Sequence, residues 1–201
     1  MTLKVAAFAD HEKARECISL ARLLVASPEE IDEFQASFGD NVDVTDMFFP
    51  PTSIKTELAA LRLVQRSAQH ALDSFPNSLE EDEELLSQLY EHLSTSNTSM
   101  DALPPELQQL LQQPDVEPTN ALHCIIQRRG EKKVFRSILE LVHRVLPLLT
   151  LQWNDLSPLI DRCYQASTLA HRLTRYDLYV VNIIAPLVRK DSMARNTSSK
   201  Q

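Results

Sequence analysis

The chain has 201 residues, 43% of them hydrophobic, enough apolar material to bury the core of one domain or one and a half. Its 28 acidic and 20 basic residues leave a formal charge of -8, which argues against the diffuse basic surface of a general nucleic-acid binder. Only two glycines are present, Gly39 and Gly130, so Gly-rich phosphate loops and dinucleotide-binding turns cannot be built and Walker and Rossmann chemistry is excluded.

Helical periodicity runs through nearly every segment, and only short runs such as Tyr179 to Ile184 are ambiguous with strand. The expected fold is all-α, a multi-helix bundle of long antiparallel helices with short connecting helices. A first helix covers Asp10 to Ala26. Ser27-Pro28-Glu29-Glu30 restarts the chain as a capping box with proline at the first helical position, and this second helix ends near Phe38-Gly39. Asp40 to Ser53 reads as a loop pinned to the core by Met47, Phe48 and Phe49. A long helix follows from Ile54 to Ser74, its apolar stripe formed by Ile54, Leu58, Leu61, Ala68, Leu72 and Phe75.

The stretch Phe75 to Leu86 contains a Pro-Asn break and then Ser78 with Glu81, another reciprocal capping box. The acidic run Glu80 to Glu84 occupies the first turns of the helix that follows, where unpaired amides favour carboxylates. That helix runs to Leu93 and should pack antiparallel to its predecessor. After the polar Ser94 to Met100 come a short helix from Pro104 to Gln113, a break around Pro114 and Pro118, and a third long helix from Thr119 to Leu149 containing Gly130. Ser157-Pro158 is read as opening a helix to Leu173. Thr174 with Asp177 caps a last one to Val188, before a polar tail. The expected organisation is a helical domain over 1–150, additional C-terminal helices packed on it over 151–190, and a disordered tail over 191–201.

Cys17, Cys124 and Cys163 are an odd, widely spaced set without a CxxC pair, the usage of buried thiols in a reducing compartment. The first ten residues lack the pattern of a secretory leader, and the longest apolar run, Leu178 to Val188, is short and holds Asn182 and Pro186. The expectation is a soluble intracellular protein without a membrane partner, with cytosol, nucleus and plastid not distinguished.

Candidate chemistry is sparse. Glu140 and His143 form an E-x-x-H pair on one helix face, but a di-iron bundle needs a second such pair, and none occurs. His123 and Cys124 diverge by about 100° on a helix and read as packing residues. No catalytic, cofactor-binding or metal residues are assigned. The basic cluster Arg128, Arg129, Lys132, Lys133 and Arg136 is the strongest positive feature. Arg128, Lys132 and Arg136 share one helical stripe, and Arg129 with Lys133 a neighbouring one, so the cluster is either a protein-binding surface or a solvated face paired with Glu80 to Glu84.

The order of these strings carries more information than any one of them. Leu58-Ala-Ala-Leu61-Arg62-Leu63, then Phe75-Pro76-Asn77-Ser78-Leu79-Glu80-Glu81-Asp82-Glu83-Glu84-Leu85-Leu86, then Asn120-Ala121-Leu122 and Arg129-Gly130-Glu131-Lys132-Lys133-Val134, resembles the Rubisco large-subunit methyltransferase substrate-binding domain. Ile18 to Glu30 is similar to that domain's opening, and the likeness covers roughly Ile18 to Leu141. The resemblance implies a helical lobe that follows a catalytic SET domain in protein-lysine methyltransferases and docks the substrate protein. The chain itself has no Gly-x-Gly and no Asn-His dipeptide, and Tyr90, Tyr164, Tyr176 and Tyr179 fall in expected helices. The implied role is therefore non-catalytic docking, with a protein substrate or a SET-domain partner in the same or another polypeptide. A fragment of a longer enzyme, a truncated product and a stand-alone module all remain open, and the alternative is a general helical adaptor unrelated to methylation.

Overall fold

A computed structural model describes residues 11–37, 49–94, 104–112, 118–170 and 174–198. Among them all regular structure is helical, and the all-α expectation holds. The elements are α1 His11–Val25, α2 Pro28–Ala36, α3 Ile54–Asp73, α4 Leu79–Ser94, α5 Pro105–Leu111, α6 Pro118–Val145, α7 Trp153–Ala170, α8 Arg175–Tyr179 and α9 Ala185–Ser198.

The three sequence-read capping boxes are present. The Ser27 hydroxyl accepts from the Glu30 amide at 3.3 Å, and the Glu30 carboxylate accepts from the Ser27 amide at 3.0 Å. Ser78 and Glu81 do the same at 3.0 and 2.5 Å, and Thr174 and Asp177 at 3.2 and 2.9 Å. Each box satisfies amides that a helix start leaves without partners.

Several boundaries differ from the sequence reading. α6 stops at Val145, because Pro147 has no amide for the α-helical ladder, and the chain tightens into a 3-10 turn over Leu146–Thr150. α7 begins at Trp153 rather than Ser157. The Gln152 carbonyl accepts from the Asp155 and Leu156 amides at 3.1 and 3.0 Å, so the helix is under way before Pro158, which lies inside it. Between α8 and α9 the chain makes a π turn over Val180–Ile184 and stays helical to Ser198, where a tail was expected from residue 191. Gly130 interrupts nothing within α6.

The chain divides into two compact units, with boundaries inside α3 and α6 rather than at residue 150. The first is Met1–Ser67 with Ile138–Gln201, and the second is Ala68–Ser137. In the first unit, buried apolar side chains come from α3 (Ala60, Leu61, Val64), the end of α6 (Val142, Val145), α7 (Leu156, Ile160) and the last segment (Val180, Ile184, Val188). α7 packs on α9 there. The second unit is centred on Leu85, Leu86, Leu89, Leu107, Ala121 and Ile125, with Leu122 packed against them.

The buried stripe of α3 is rotated from the one expected. Thr56, Glu57, Ala60, Leu61, Val64 and Ala68 are buried, while Ile54, Leu58 and Leu72 are only half-buried. A charged residue thus lies on the inner face.

Leu89 is fully buried, so Leu89→Ala should lower unfolding free energy by about 2–5 kcal/mol in urea denaturation. A Cβ at Gly130 meets nothing within 4 Å. Gly130→Ala should therefore raise stability by about 0.5–1 kcal/mol, the ordinary helix-interior difference between the two residues.

Candidate functional site

In the second unit, the basic cluster of α6 meets the acidic start of α4. Asp82 and Lys132 are buried, with relative exposures of 0% and 1%, and each stands in an otherwise apolar stripe of its helix. Lys132 Nζ donates to Asp82 Oδ2 at 2.5 Å and to the Ser78 carbonyl at 3.1 Å, and lies 5.1 Å from the centre of the Phe75 ring. The other Asp82 oxygen is paired with Arg128. Phe75 in turn contacts Phe135, with ring centres 6.4 Å apart. An ammonium taken out of water is tolerable only with such a complete set of partners.

Outside this buried pair the contacts are exposed. The Arg136 guanidinium grips Glu80 with two bonds of 2.6 and 2.8 Å, and Lys133 pairs with Glu83 at 2.6 Å. The Arg136 hydrogen bonds and the helix-start amide hold the Glu80 carboxyl down at about 2, and Lys133 lowers that of Glu83. Pairing of residue 80 with 136 and of 82 with 132 makes α4 and α6 antiparallel. The same register carries Tyr90 of α4 opposite Ile126 of α6, and both are exposed, at 51% and 37%. Of the five sequence-read site residues, Lys132 is consumed in the interior, Arg128 and Arg129 are half-buried, and Lys133 and Arg136 are on the surface.

The first unit contains a second buried charge network that the sequence reading missed. Glu57 has no exposed surface, and its carboxylate accepts from Arg22 Nε at 2.6 Å and Arg22 Nη2 at 2.9 Å. The Tyr179 hydroxyl donates to Glu57 Oε1. Burial and the Glu57 charge push the Tyr179 hydroxyl well above its ordinary range, so it serves as a donor. Burial alone would lower Arg22, but the Glu57 hydrogen bond and charge outweigh it and raise it. Phe49 is fixed beside this network. Its amide donates to the Ser19 hydroxyl at 2.5 Å, its carbonyl accepts from Arg22 at 3.5 Å, and its ring lies 4.8 Å from that of Phe34. The expected core anchoring of Phe49 holds, while Met47 and Phe48 lie outside the described residues.

Glu30 is a third organising carboxylate. Burial alone would raise it, but hydrogen bonds from Thr56, the Ser27 amide, Thr52 and Ser53 outweigh burial and hold it at about 2. It therefore joins the start of α2 to the start of α3.

The remaining candidates separate. Glu140 and His143 are both exposed, and no group of three or more metal-ligating side chains occurs among the described residues. His123 and Cys124 were read as packing residues but are exposed; Cys17 and Cys163 are buried thiols, as expected. Tyr176 lies under the Arg144 guanidinium at 3.9 Å. No described helix is long and apolar enough to cross a membrane.

A family model described as Rubisco LSMT substrate-binding matches residues 2–135. The chain belongs to this family. No curated protein and no solved structure matched it significantly. The match begins before Ile18 and ends before Leu141, where the sequence likeness was placed. Phe75, Ser78, Asp82 and Lys132 therefore all fall inside the Rubisco LSMT substrate-binding segment, and the strings Phe75 to Leu86 and Arg129 to Val134 contribute to the two sides of one buried ion-pair network. Tyr179 comes from outside that segment.

Lys132→Ala leaves Asp82 buried with one partner fewer and should cost about 3–5 kcal/mol in chemical denaturation, whereas Arg136→Ala should cost far less because its pair is exposed. The lowered Glu30 carboxyl adds stability that is fully present above the ordinary carboxylate range and is lost as pH falls through about 2. Carboxyl NMR titration should find Glu30 still ionised well below the ordinary carboxylate range, and Glu30→Gln should flatten the acid limb of the stability profile.

Proposed function

We propose that the chain is a non-catalytic, protein-docking helical lobe of the SET-type protein-lysine methyltransferase kind, acting with a SET domain in the same or another polypeptide. Its membership of the Rubisco LSMT substrate-binding family supports this reading, and the absence of Gly-x-Gly and Asn-His strings agrees with it. The observation that carries it to a surface is the exposed edge of the α4–α6 pair. There Glu80–Arg136 and Glu83–Lys133 lie at one end, and Tyr90 and Ile126 are exposed about two turns further along α4 and α6. Arg129 is the half-buried cation between them along α6.

Such an edge combines an apolar patch with a charged rim, the usual anatomy of a protein interface. Exposed ion pairs contribute little to folding, so an acidic partner can compete for Lys133 and Arg136 at small cost to the lobe. Arg128 and Lys132 support that edge from within by holding Asp82. The proposed partner is a protein substrate; neither nucleic acid nor membrane is invoked.

Added in trans to a SET catalytic domain lacking its own helical lobe, the chain should lower KM for a protein substrate with kcat unchanged, because docking adds binding that is equal in ground and transition states. Lys133→Glu with Arg136→Glu should reverse the gain. Unchanged KM at saturating chain, or methyl transfer from labelled donor by the chain alone, would contradict the reading.

A further inference from the structure

The C-terminal segment builds a feature that neither network uses. Two open hollows of about 540 and 450 Å³ adjoin in the first unit, sharing Ile54, Asp191 and Arg195 as walls. The larger is floored by Leu149, Leu151, Trp153 and Met193, and Arg189 lies 5.7 Å from the centre of the Trp153 ring. The smaller runs along one face of α3, where Lys55, Leu58, Ala59 and Arg62 line it. Together they form one groove whose wall mixes apolar side chains with the cations Lys55, Arg62, Arg189 and Arg195.

Its charge is opposite to that of the whole chain. Lys55, Arg62 and Arg189 are exposed cations, while the one carboxylate lining the two hollows among the described residues, Asp191, is already paired with Arg195 at 2.8 Å. Positive charge gathered in a concave, partly apolar wall favours an anionic ligand. A closed small-molecule site would bury most of its ligand, whereas two adjoining open hollows suit an extended chain.

We infer that this groove binds an extended acidic peptide segment that places an apolar side chain against Trp153 and carboxylates on Lys55 and Arg62. Lys55 and Arg62 are seven positions apart on α3, about 10 Å along the axis. In the polyproline II form of an extended chain three residues make one turn and advance about 9 Å, so carboxylates three positions apart lie on one side and meet both cations. A single-stranded nucleic acid fits less well, because among the described residues Trp153 is the one aromatic lining the groove and successive bases need successive stacking partners. The inference goes beyond the docking edge of α4 and α6, since the groove is built mainly from residues after the Rubisco LSMT substrate-binding segment.

Trp153 is the sole tryptophan, so its fluorescence reports this groove alone. The probe is a synthetic peptide with a central phenylalanine followed by glutamates three positions apart. It should shift Trp153 emission saturably in the wild type and equally in Lys133→Glu with Arg136→Glu, a variant that tests only the α4–α6 edge. Lys55→Glu with Arg62→Glu, both exposed and checked for helicity by circular dichroism, should weaken binding at least about tenfold. No saturable shift in the wild type, unchanged affinity in that variant, or equal binding of a peptide with lysines in place of glutamates would overturn the inference. Tighter binding of a single-stranded oligonucleotide at this site would overturn it in favour of nucleic acid.

Discussion

A carboxylate without access to water constrains the first unit. Glu57 lies on the inner face of α3, and its charge is held by Arg22 of α1 and by the Tyr179 hydroxyl at the end of α8. A buried anion is costly unless its hydrogen-bonding capacity is filled, and removing one partner of such a set destabilises far more than the set contributes over an apolar equivalent. Its geometry therefore fixes where α1, α3 and the C-terminal segment meet. The same guanidinium that reaches Glu57 also holds the Phe49 carbonyl, so the chain entering α3 is placed by the same group. Tyr179 immediately precedes the π turn over Val180–Ile184, a local irregularity of the kind that re-aims side chains next to such sites.

The second unit also holds a buried ion pair. Asp82 and Lys132 share the interior, and the exposed pairs Glu80–Arg136 and Glu83–Lys133 flank them. The difference in burial separates two roles that the sequence merges into one basic cluster. Lys132 fastens α6 to the cap of α4 by taking the Ser78 carbonyl, and it cannot at the same time meet a partner. Lys133 and Arg136 meet Glu83 and Glu80 on the surface, where water already screens the contacts, and the proposed docking role rests on that difference. A rigid interior and a water-screened edge on the same two helices suit a lobe that presents a surface rather than performs a reaction.

Much of this was legible in the sequence where local chemistry decides the outcome. The capping boxes at Ser27, Ser78 and Thr174 are set by neighbouring residues, and so are the helix starts they fix. Pairing of the basic cluster with the acidic run was one of the two readings of residues 128–136, and it is the arrangement found for Arg128, Lys132, Lys133 and Arg136. The burial of Glu57 was missed because an apolar stripe was drawn through Ile54 and Leu58, a choice that assigns every charge to the solvent side. A signal was nevertheless present. Asp82 falls between Leu79 and Leu86, and Lys132 between Ile125 and Phe135, at spacings that keep all of them on the inner face. Opposite charges in register with apolar stripes on two antiparallel helices mark a buried pair. The partner of Glu57 had no comparable mark, because Tyr179 lies more than a hundred residues away and nothing local pairs them. The expected third long helix runs through Pro147 and Pro158 is read as a helix start, although Pro147 ends α6 and Pro158 sits within α7.

If Glu57 makes the C-terminal segment an integral part of the first unit, native-state hydrogen exchange tests it most directly. Amides of Val180 to Val188 should open with the same free energy as those of Glu57 to Val64, and Tyr179→Phe should lower both together. Exchange of Val180 to Val188 through a separate, less stable opening that Tyr179→Phe leaves unchanged would contradict the account.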